Sequence, residues 1–434
     1  MKRKSWYRED LAEAIRKCLP SQFFAQWRLS KGLRWTPQRI VWMALLMAYC
    51  AEQTLGERFD AVRDVLKETF PHGQLGTSYT GWFEAQAHWI EALRPALSRR
   101  LRQQLRAFAG RHWTRQGWCA FAVDGSRVEC PRTVANEETL GCAGKKRTAP
   151  QLFLTTLWHM GTGLPWDFRI GPGTASERRH LEDMLVDLPA EALVVADAGF
   201  TGYDFCQRIV QSQRSFLLRV GSNVHLLRKL GVVQQEGRST VYLWPEKREH
   251  KPPLVLRLIE LRQGKKKMYL VTNVRAASVL SQKSAATLYE MRWGVEVFFR
   301  SCKQTLEKRT MLSRSPQAAR CELTWAVLGI WLLGVLSVAG IIERGGDPLA
   351  WSVAAARNRV RRTMRRIRIR RRGPSLLEHL AQAIKDSYER AGSKTARNWP
   401  HKKKEKPPGV PKIEVASPGQ VKRAKRFAEA KKAA

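Results

Sequence analysis

Residues 288–306, LYEMRWGVEVFFRSCKQTL, constrain this chain more than any other stretch. At roughly 100° per residue on a helix, Tyr289, Arg292, Glu296 and Lys303 fall within an arc of about 60°, and Arg300 lies on the same stripe. Leu288, Met291, Val295, Phe298, Phe299, Cys302 and Leu306 project to the opposite side. The spacing therefore predicts one helix with a face for packing and a face for work. From Tyr289 to Lys303 the polar stripe runs roughly 21 Å, longer than a small substrate and matched to several phosphates of a nucleic-acid backbone. One acid among bases also describes an ordinary solvated helix face, so the stripe needs support from elsewhere in the chain.

Charge points the same way. The 434 residues carry 77 Lys+Arg against 38 Asp+Glu, a formal net charge of +39, which suits a protein that covers polyphosphate. Hydrophobic residues at 44% are enough for a substantial core. The eight cysteines include no C-x-x-C pair, which argues against a zinc ribbon and a disulfide framework and for free thiols in a reducing compartment. His159 and His180 read as core or surface histidines rather than ligands. MKRKSWYRED has no apolar run behind its basic residues, so a cytoplasmic location is expected. Residues 323–342, LTWAVLGIWLLGVLSVAGII, are long and uncharged enough to span a bilayer. A central core helix, apolar all round, is the expected reading, and no membrane partner is expected.

In order, the pattern divides as follows. Residues 1–75 read as a helical DNA-binding domain, with Thr36 capping a helix that Pro37 begins, and 76–117 as a basic helical connector. Residues 118–221 show strand, helix and buried strand, the mark of a crossover onto a central sheet. Three strand-like runs separated by turns make 222–275 a β-rich insertion, and 276–345 hold the polar-striped helix and the apolar one. A basic helical region spans 346–392. Its run RNRVRRTMRRIRIRRRG is expected to meet phosphates, and Ser375 with Glu378 forms a capping-box pattern. Residues 393–434 have the composition of a disordered basic tail.

Two acids end apolar runs: Asp124 in WCAFAVDG and Asp197 in LVVADAGF. A carboxylate there is costly unless it holds a proton, a cation or a metal, although Asp-Gly alone is most often a turn. Phosphodiester chemistry is eased by two divalent ions about 3.5–4 Å apart, and hard cations such as Mg²⁺ are held by carboxylate oxygens.

The spacing Tyr-x2-Arg-x3-Glu-x6-Lys, with AVDGS and VVADAGF upstream in the same order, resembles the DDE transposases of bacterial insertion sequences, in particular the IS-four-like group. Gly199 and Phe200 match the context that follows the second aspartate. The resemblance, covering residues 121–320 and more weakly the helical N-terminal part, implies an α/β fold with a ribonuclease H-like mixed sheet flanked by helices. It implies Asp124, Asp197 and Glu296 as catalytic and metal-binding residues holding two Mg²⁺ (or Mn²⁺) ions, with Tyr289, Arg292 and Lys303 on phosphates at the transposon end. Arg300 joins them as a DNA-binding residue on the same stripe. The activity implied is strand cleavage at the ends of an insertion sequence and strand transfer into target DNA. The partners implied are double-stranded DNA, as terminal inverted repeats and target, and a second copy in a homodimeric synaptic complex at the bacterial nucleoid. An inactive, domesticated DNA-binding protein and a Mg²⁺-dependent nuclease without joining activity remain open. Tyr242 and Trp244 are candidates for stacking on a base.

Overall fold

The computed structural model describes residues 6–28, 32–70, 74–141, 149–263, 266–371, 373–386 and 408–433. Along the chain come α1 (Trp6–Cys18), α2 (Ser21–Phe24), α3 (Pro37–Tyr49), α4 (Leu55–Thr69), α5 (Tyr79–Ala109), β1 (Cys119–Glu129), α6 (Val134–Leu140), β2 (Gln151–His159), β3 (Leu164–Pro172) and α7 (Glu177–Met184). There follow β4 (Ala192–Ala196), α8 (Tyr203–Gln211), β5 (Ser215–Val220), β6 (His225–Arg228), β7 (Thr240–Leu243), β8 (Leu254–Gln263), β9 (Lys266–Thr272), α9 (Gln282–Met291) and α10 (Trp293–Arg300). Last are α11 (Pro316–Glu343), α12 (Val353–Arg368), α13 (Leu376–Leu380), β10 (Lys412–Val415) and α14 (Pro418–Ala433). The chain divides into two compact units, one of Met1–Trp113, Gly125–Ser176 and Gly294–Lys385, the other of Thr114–Asp124, Glu177–Trp293 and Asp386–Ala434.

The first unit is built on α11. Residues along its whole length, from Leu323 to Ile341, are buried, and 83% of its most apolar window lies inside the protein against α3, α5 and β3. Such a helix needs no lipid to cover it, as expected of a core helix apolar all round. Thr36 caps α3 by accepting from Arg39 N, with Pro37 in the first turn, as the sequence predicts. The β2–β3 hairpin turns at Gly163, whose φ of +71° is open to glycine at no steric cost.

The second unit carries the mixed sheet. Its strands run β10-β6-β7-β8-β9-β5-β4-β1, with β1, β4 and β5 parallel and β5 to β9 antiparallel. Beyond β1 the order continues in the first unit as β2-β3, so the α/β mixed sheet flanked by helices is as expected. The order β3-β2-β1-β4-β5, an antiparallel hairpin followed by two parallel strands, is the ribonuclease H-like one.

Several expectations are corrected. The stretch 222–275 holds β6 to β9, and these strands extend the central sheet: β9 pairs with β5 from Leu217↔Thr272 to Val220↔Tyr269. The stretch 412–433 is not a disordered tail. The short edge strand β6 leaves backbone groups unpaired, and β10 satisfies them from Lys412↔His225 to Val415↔Arg228. Backbone pairing needs no apolar composition, so the lysines and prolines gave the wrong sign. Helix α14 then lays Phe427 6.4 Å from Trp244 and pairs Arg423 with Glu249. Residues 393–407 lie outside the described residues, as does Cys142; the other seven cysteines are buried thiols.

Tyr242 and Trp244 are buried, bonded to Glu236 and to the Lys251 carbonyl, and neither is open to a base. Ser375 makes no cap hydrogen bond; Asp10 accepts from Leu376 N in its place. Much of the arginine run is used within its own unit. Arg357 and Arg361 both donate to the carbonyls of Tyr49 and Cys50 at the C-terminus of α3, where four carbonyls lack helical partners. Arg366 reaches Asp10, and Arg370 reaches Glu68, leaving Arg362, Arg365 and Arg368 exposed along α12.

Candidate active site

In the second unit, register builds the site. Strand β1 pairs with β4 up to Ala122↔Val195, so Asp124 and Asp197 each stand two residues beyond the same rung. Adjacent strands lie about 4.8 Å apart and residues at one level share a face, so the two carboxylates are neighbours on one side of the sheet. Asp124-Gly125 is not a turn: β1 runs straight through it to Glu129, and burial relaxes there from complete to partial. The loop after β4 is fixed by its own side chains. Asp197 Oδ1 accepts from Gly199 N at 2.8 Å, and Arg178 donates to the carbonyls of Gly199 and Thr201 at 2.8 and 3.0 Å. Each of these bonds lowers the freedom of the residue that holds the carboxylate.

Helix α9 brings the first half of the polar stripe to this unit. Arg292 Nη1 lies 3.6 Å from Asp124 Oδ2, and its guanidinium carbon is 5.7 Å from the centre of the Tyr289 ring. Tyr289 is 7% exposed rather than facing outward. Burial raises its hydroxyl pKa above the ordinary tyrosine value, against the pull of Arg292 and Arg219, and Asp197 is close enough to add to the rise. Asp124 is thus brought to Arg292, and Asp197 to Tyr289.

Glu296, Arg300 and Lys303 belong to the first unit. The expected single helix is interrupted: α9 ends at Met291, Arg292 caps it, and α10 starts at Trp293. Gly294 explains the close seat of α10, since a Cβ there would meet Trp158 at 2.0 Å. After Arg300 the helix widens into a π-turn over Ser301–Thr305, a feature frequent at functional sites. The apolar stripe packs as expected, with Leu288, Val295, Phe298, Phe299, Cys302 and Leu306 buried, while Met291 is only half-buried. Glu296 is half-buried and Arg300 exposed. Lys303 sits on the π-turn near Glu129; burial lowers its ammonium below the ordinary lysine value despite that acid. The turn closes at Glu307, in the left-handed region at φ +57°, whose carboxylate pairs with Arg357 at 3.3 Å.

Hard oxygen donors at one level of neighbouring strands, with a guanidinium drawn to one of them, have the chemistry that suits a divalent cation. Among the described residues no group of three or more His, Cys, Asp or Glu is gathered as a metal-holding cluster. His159 is a core residue bonded to Thr162 and the Trp113 carbonyl, as the sequence suggests. Two residues of the second unit went unread in the sequence: Arg178, which pins the loop after Asp197, and Arg219, beside Tyr289. Arg219 carries the same signal as the aspartates, a charge at the end of the apolar run SFLLRV.

Known proteins match this chain. The DDE-domain transposase model covers residues 115–332. The transposase InsG of insertion sequence element IS4 from Escherichia coli (strain K12) is 25% identical over 232 residues, 50% of this chain and 51% of that protein. The putative transposase y4zB of Sinorhizobium fredii (strain NBRC 101917 / NGR234) is 28% identical over 160 residues, 35% of this chain and 44% of that protein. The chain thus spans about half the length of the curated relatives it matches. A cryo-EM structure of a piggyBac transposase synaptic complex with hairpin DNA aligns with 90% of this chain and 86% of that one, at 10% identity and a TM-score of 0.42. With half of its length matched by the family model, across both aspartates and the whole polar stripe, the chain belongs to the family of transposases that carry the DDE domain.

Proposed function

We propose that this transposase hydrolyses one DNA strand at each end of an insertion sequence and uses the freed 3′-hydroxyl to attack target DNA. The observation that carries the reading is the register that sets Asp124, within β1, level with Asp197, just beyond β4. Glu296 is the third carboxylate, and the three together would hold Mg²⁺ or Mn²⁺. Two such ions, when bound, supply activation of the attacking oxygen and stabilisation of the leaving one. The chain's own residues do the rest. Tyr289, Arg292, Arg300 and Lys303 hold successive phosphates, and the fixed loop 197–201 keeps the Asp197 carboxylate aimed while DNA enters. Arg292, which pairs with Asp124, would be able to meet a phosphate where that carboxylate holds a cation.

The partners are terminal inverted repeats, target duplex and a second copy of the chain in a synaptic homodimer, within a bacterial cytoplasm at the nucleoid. The net charge of +39 supports the first two and the free cysteines the last. The test is incubation of the protein with duplexes carrying the flanking inverted repeats and Mg²⁺, scored for cleaved and joined strands. Cleavage with joining is expected. Cleavage without joining would make the chain a nuclease, and binding without either would make it an inactive DNA-binding descendant.

A further inference from the structure

We propose that the outer face of α14 is a second DNA-binding surface, one that grips the phosphate backbone of a duplex without reading its sequence; the assignment rests on the transposase reading above. Within the second unit, α14 has two sides. At roughly 100° per residue, Gln420, Arg423, Ala424 and Phe427 share one of them, and Lys422, Lys425 and Arg426 fall within an arc of about 100° on the other. The first side is spent on anchorage. Phe427 meets Trp244 edge to face at 6.4 Å, Arg423 and Gln420 both hold Glu249, and Ala424 is buried. The second side is exposed to solvent. β10 mounts the helix at the edge of the sheet, through its register with β6 from Lys412↔His225 to Val415↔Arg228, and five strands stand between β10 and β4. This surface is therefore separate from the one that carries Asp197.

The acids around the helix are already committed. Glu249 is taken by Arg423 and Gln420, Glu414 of β10 by Lys412 and His225 at 2.8 Å each, and Glu236 by Gly231 N and the Tyr242 hydroxyl. Glu429, the only acid in α14, comes about one turn after Lys425 and pairs with none of these bases. Lys422, Lys425, Arg426 and the neighbouring Lys229 form no ion pair among the described residues. Lys229 is exposed in the turn after β6, in the left-handed region at φ +55°, an uncommon setting for a residue with a side chain. Ala416 N donates to the Arg228 carbonyl, so this turn stands where β10 leads into α14. The Lys425 stem runs along the same turn, its Cε 4.0 Å from where a Cβ on Gly231 would lie. Gathered like charges without counter-ions repel, and phosphates relieve that repulsion. Ammonium groups meet phosphates as point charges, which positions a duplex and carries no sequence information. A membrane would need the apolar side of the helix, and Trp244 already covers it.

The test uses the full chain and two labelled duplexes of equal length, one carrying the terminal inverted repeat and one scrambled. Binding is measured against salt in Ca²⁺, cleavage of the first duplex in Mg²⁺, and melting temperature throughout. The triple variant Lys422→Gln, Lys425→Gln, Arg426→Gln should lower the magnitude of the log K against log salt slope by about three on both duplexes, since three phosphate-neutralising cations are gone. Lys229→Gln should lower it by about one. The triple variant should keep the wild-type cleavage rate at saturating protein and the wild-type melting temperature. Lys422→Arg with Lys425→Arg should keep the slope, because the charge is retained. An unchanged slope in the triple variant overturns the assignment, and so does a loss confined to the terminal-repeat duplex, which would make α14 a reader of the element's end. If wild type binds and cleaves and the triple variant equals it at every salt concentration, this inference alone fails; if wild type neither binds nor cleaves, the transposase reading fails with it.

Discussion

Arg292 and Asp124 form an ion pair, Nη1 to Oδ2 at 3.6 Å, between two side chains that are each partly exposed. A single pair that solvent still reaches contributes about 1 kcal/mol to stability. Asp124→Asn should therefore leave the urea midpoint almost unchanged while abolishing strand cleavage. A variant that still cleaves at near wild-type rate would remove Asp124 from the metal site.

Glu296→Gln should also abolish cleavage, yet keep affinity for the terminal repeat, because it removes a metal-holding oxygen and no phosphate contact. Electrophoretic mobility shifts beside a cleavage time course would report both. Parallel loss of binding and cleavage would assign the α10 segment a structural role instead.

How much of this was legible in the sequence depends on which interaction decides each element. Apolar runs ending in an aspartate located β1 and β4, since burial makes a lone charge costly and thus informative. The buried stripe from Leu288 to Leu306 followed from helical periodicity alone. What periodicity could not show was the break at Arg292, the π-turn at Ser301–Thr305 or the seat of Trp158 against Gly294, all of which involve packing rather than pattern. Nor could it show that Arg357 and Arg361 are consumed by the carbonyls of Tyr49 and Cys50, more than 300 residues away in the chain. Tyr242 and Trp244 read as available aromatics only because their partners, Glu236 and the Lys251 carbonyl, come from turns with no pattern. The tail strand β10 failed for a related reason: its partner is an edge, and an edge leaves no trace in composition.

Lys303→Ala should weaken end binding and lower the magnitude of the salt slope by about one, with cleavage falling further than binding. Lys303 is half-buried on a π-turn beside Glu129, so its ammonium is aimed rather than free. Misplacing a reacting phosphate by about 1 Å can cost on the order of a hundredfold in rate. Arg300, exposed at the end of α10, is the control: Arg300→Ala should affect binding more than chemistry. Equal effects of the two variants on binding and rate would deny Lys303 a positioning role.

The buried pair Lys308–Glu322 gives a prediction for stability alone. Glu322 accepts from Lys308 Nζ at 2.5 Å, from Leu312 N at 3.0 Å, and from Ser313 through N at 2.9 Å and Oγ at 2.8 Å. Burial pushes its carboxyl up, but Lys308 and Ser313 prevail and hold it below the ordinary glutamate value of 4.5. For Lys308 the balance runs the other way: burial lowers the ammonium below its usual value, and Glu322 offsets only part of that. The two directions disagree on whether the pair is favourable, and the four donors converging on one carboxylate decide for Glu322. A carboxylate whose pKa is depressed in the fold adds stability above its unfolded value and loses it as pH falls through the folded one. Wild-type stability should thus drop as pH falls below about 4.5, the ordinary value from which Glu322 is lowered. Glu322→Ala should cost about 3–5 kcal/mol at neutral pH, because it strands the buried Lys308 charge. The double variant Lys308→Met with Glu322→Leu removes both charges and should recover most of that loss while flattening the acid limb. Urea midpoints across that pH range check both, and an acid limb unchanged in the double variant would place the pH dependence elsewhere.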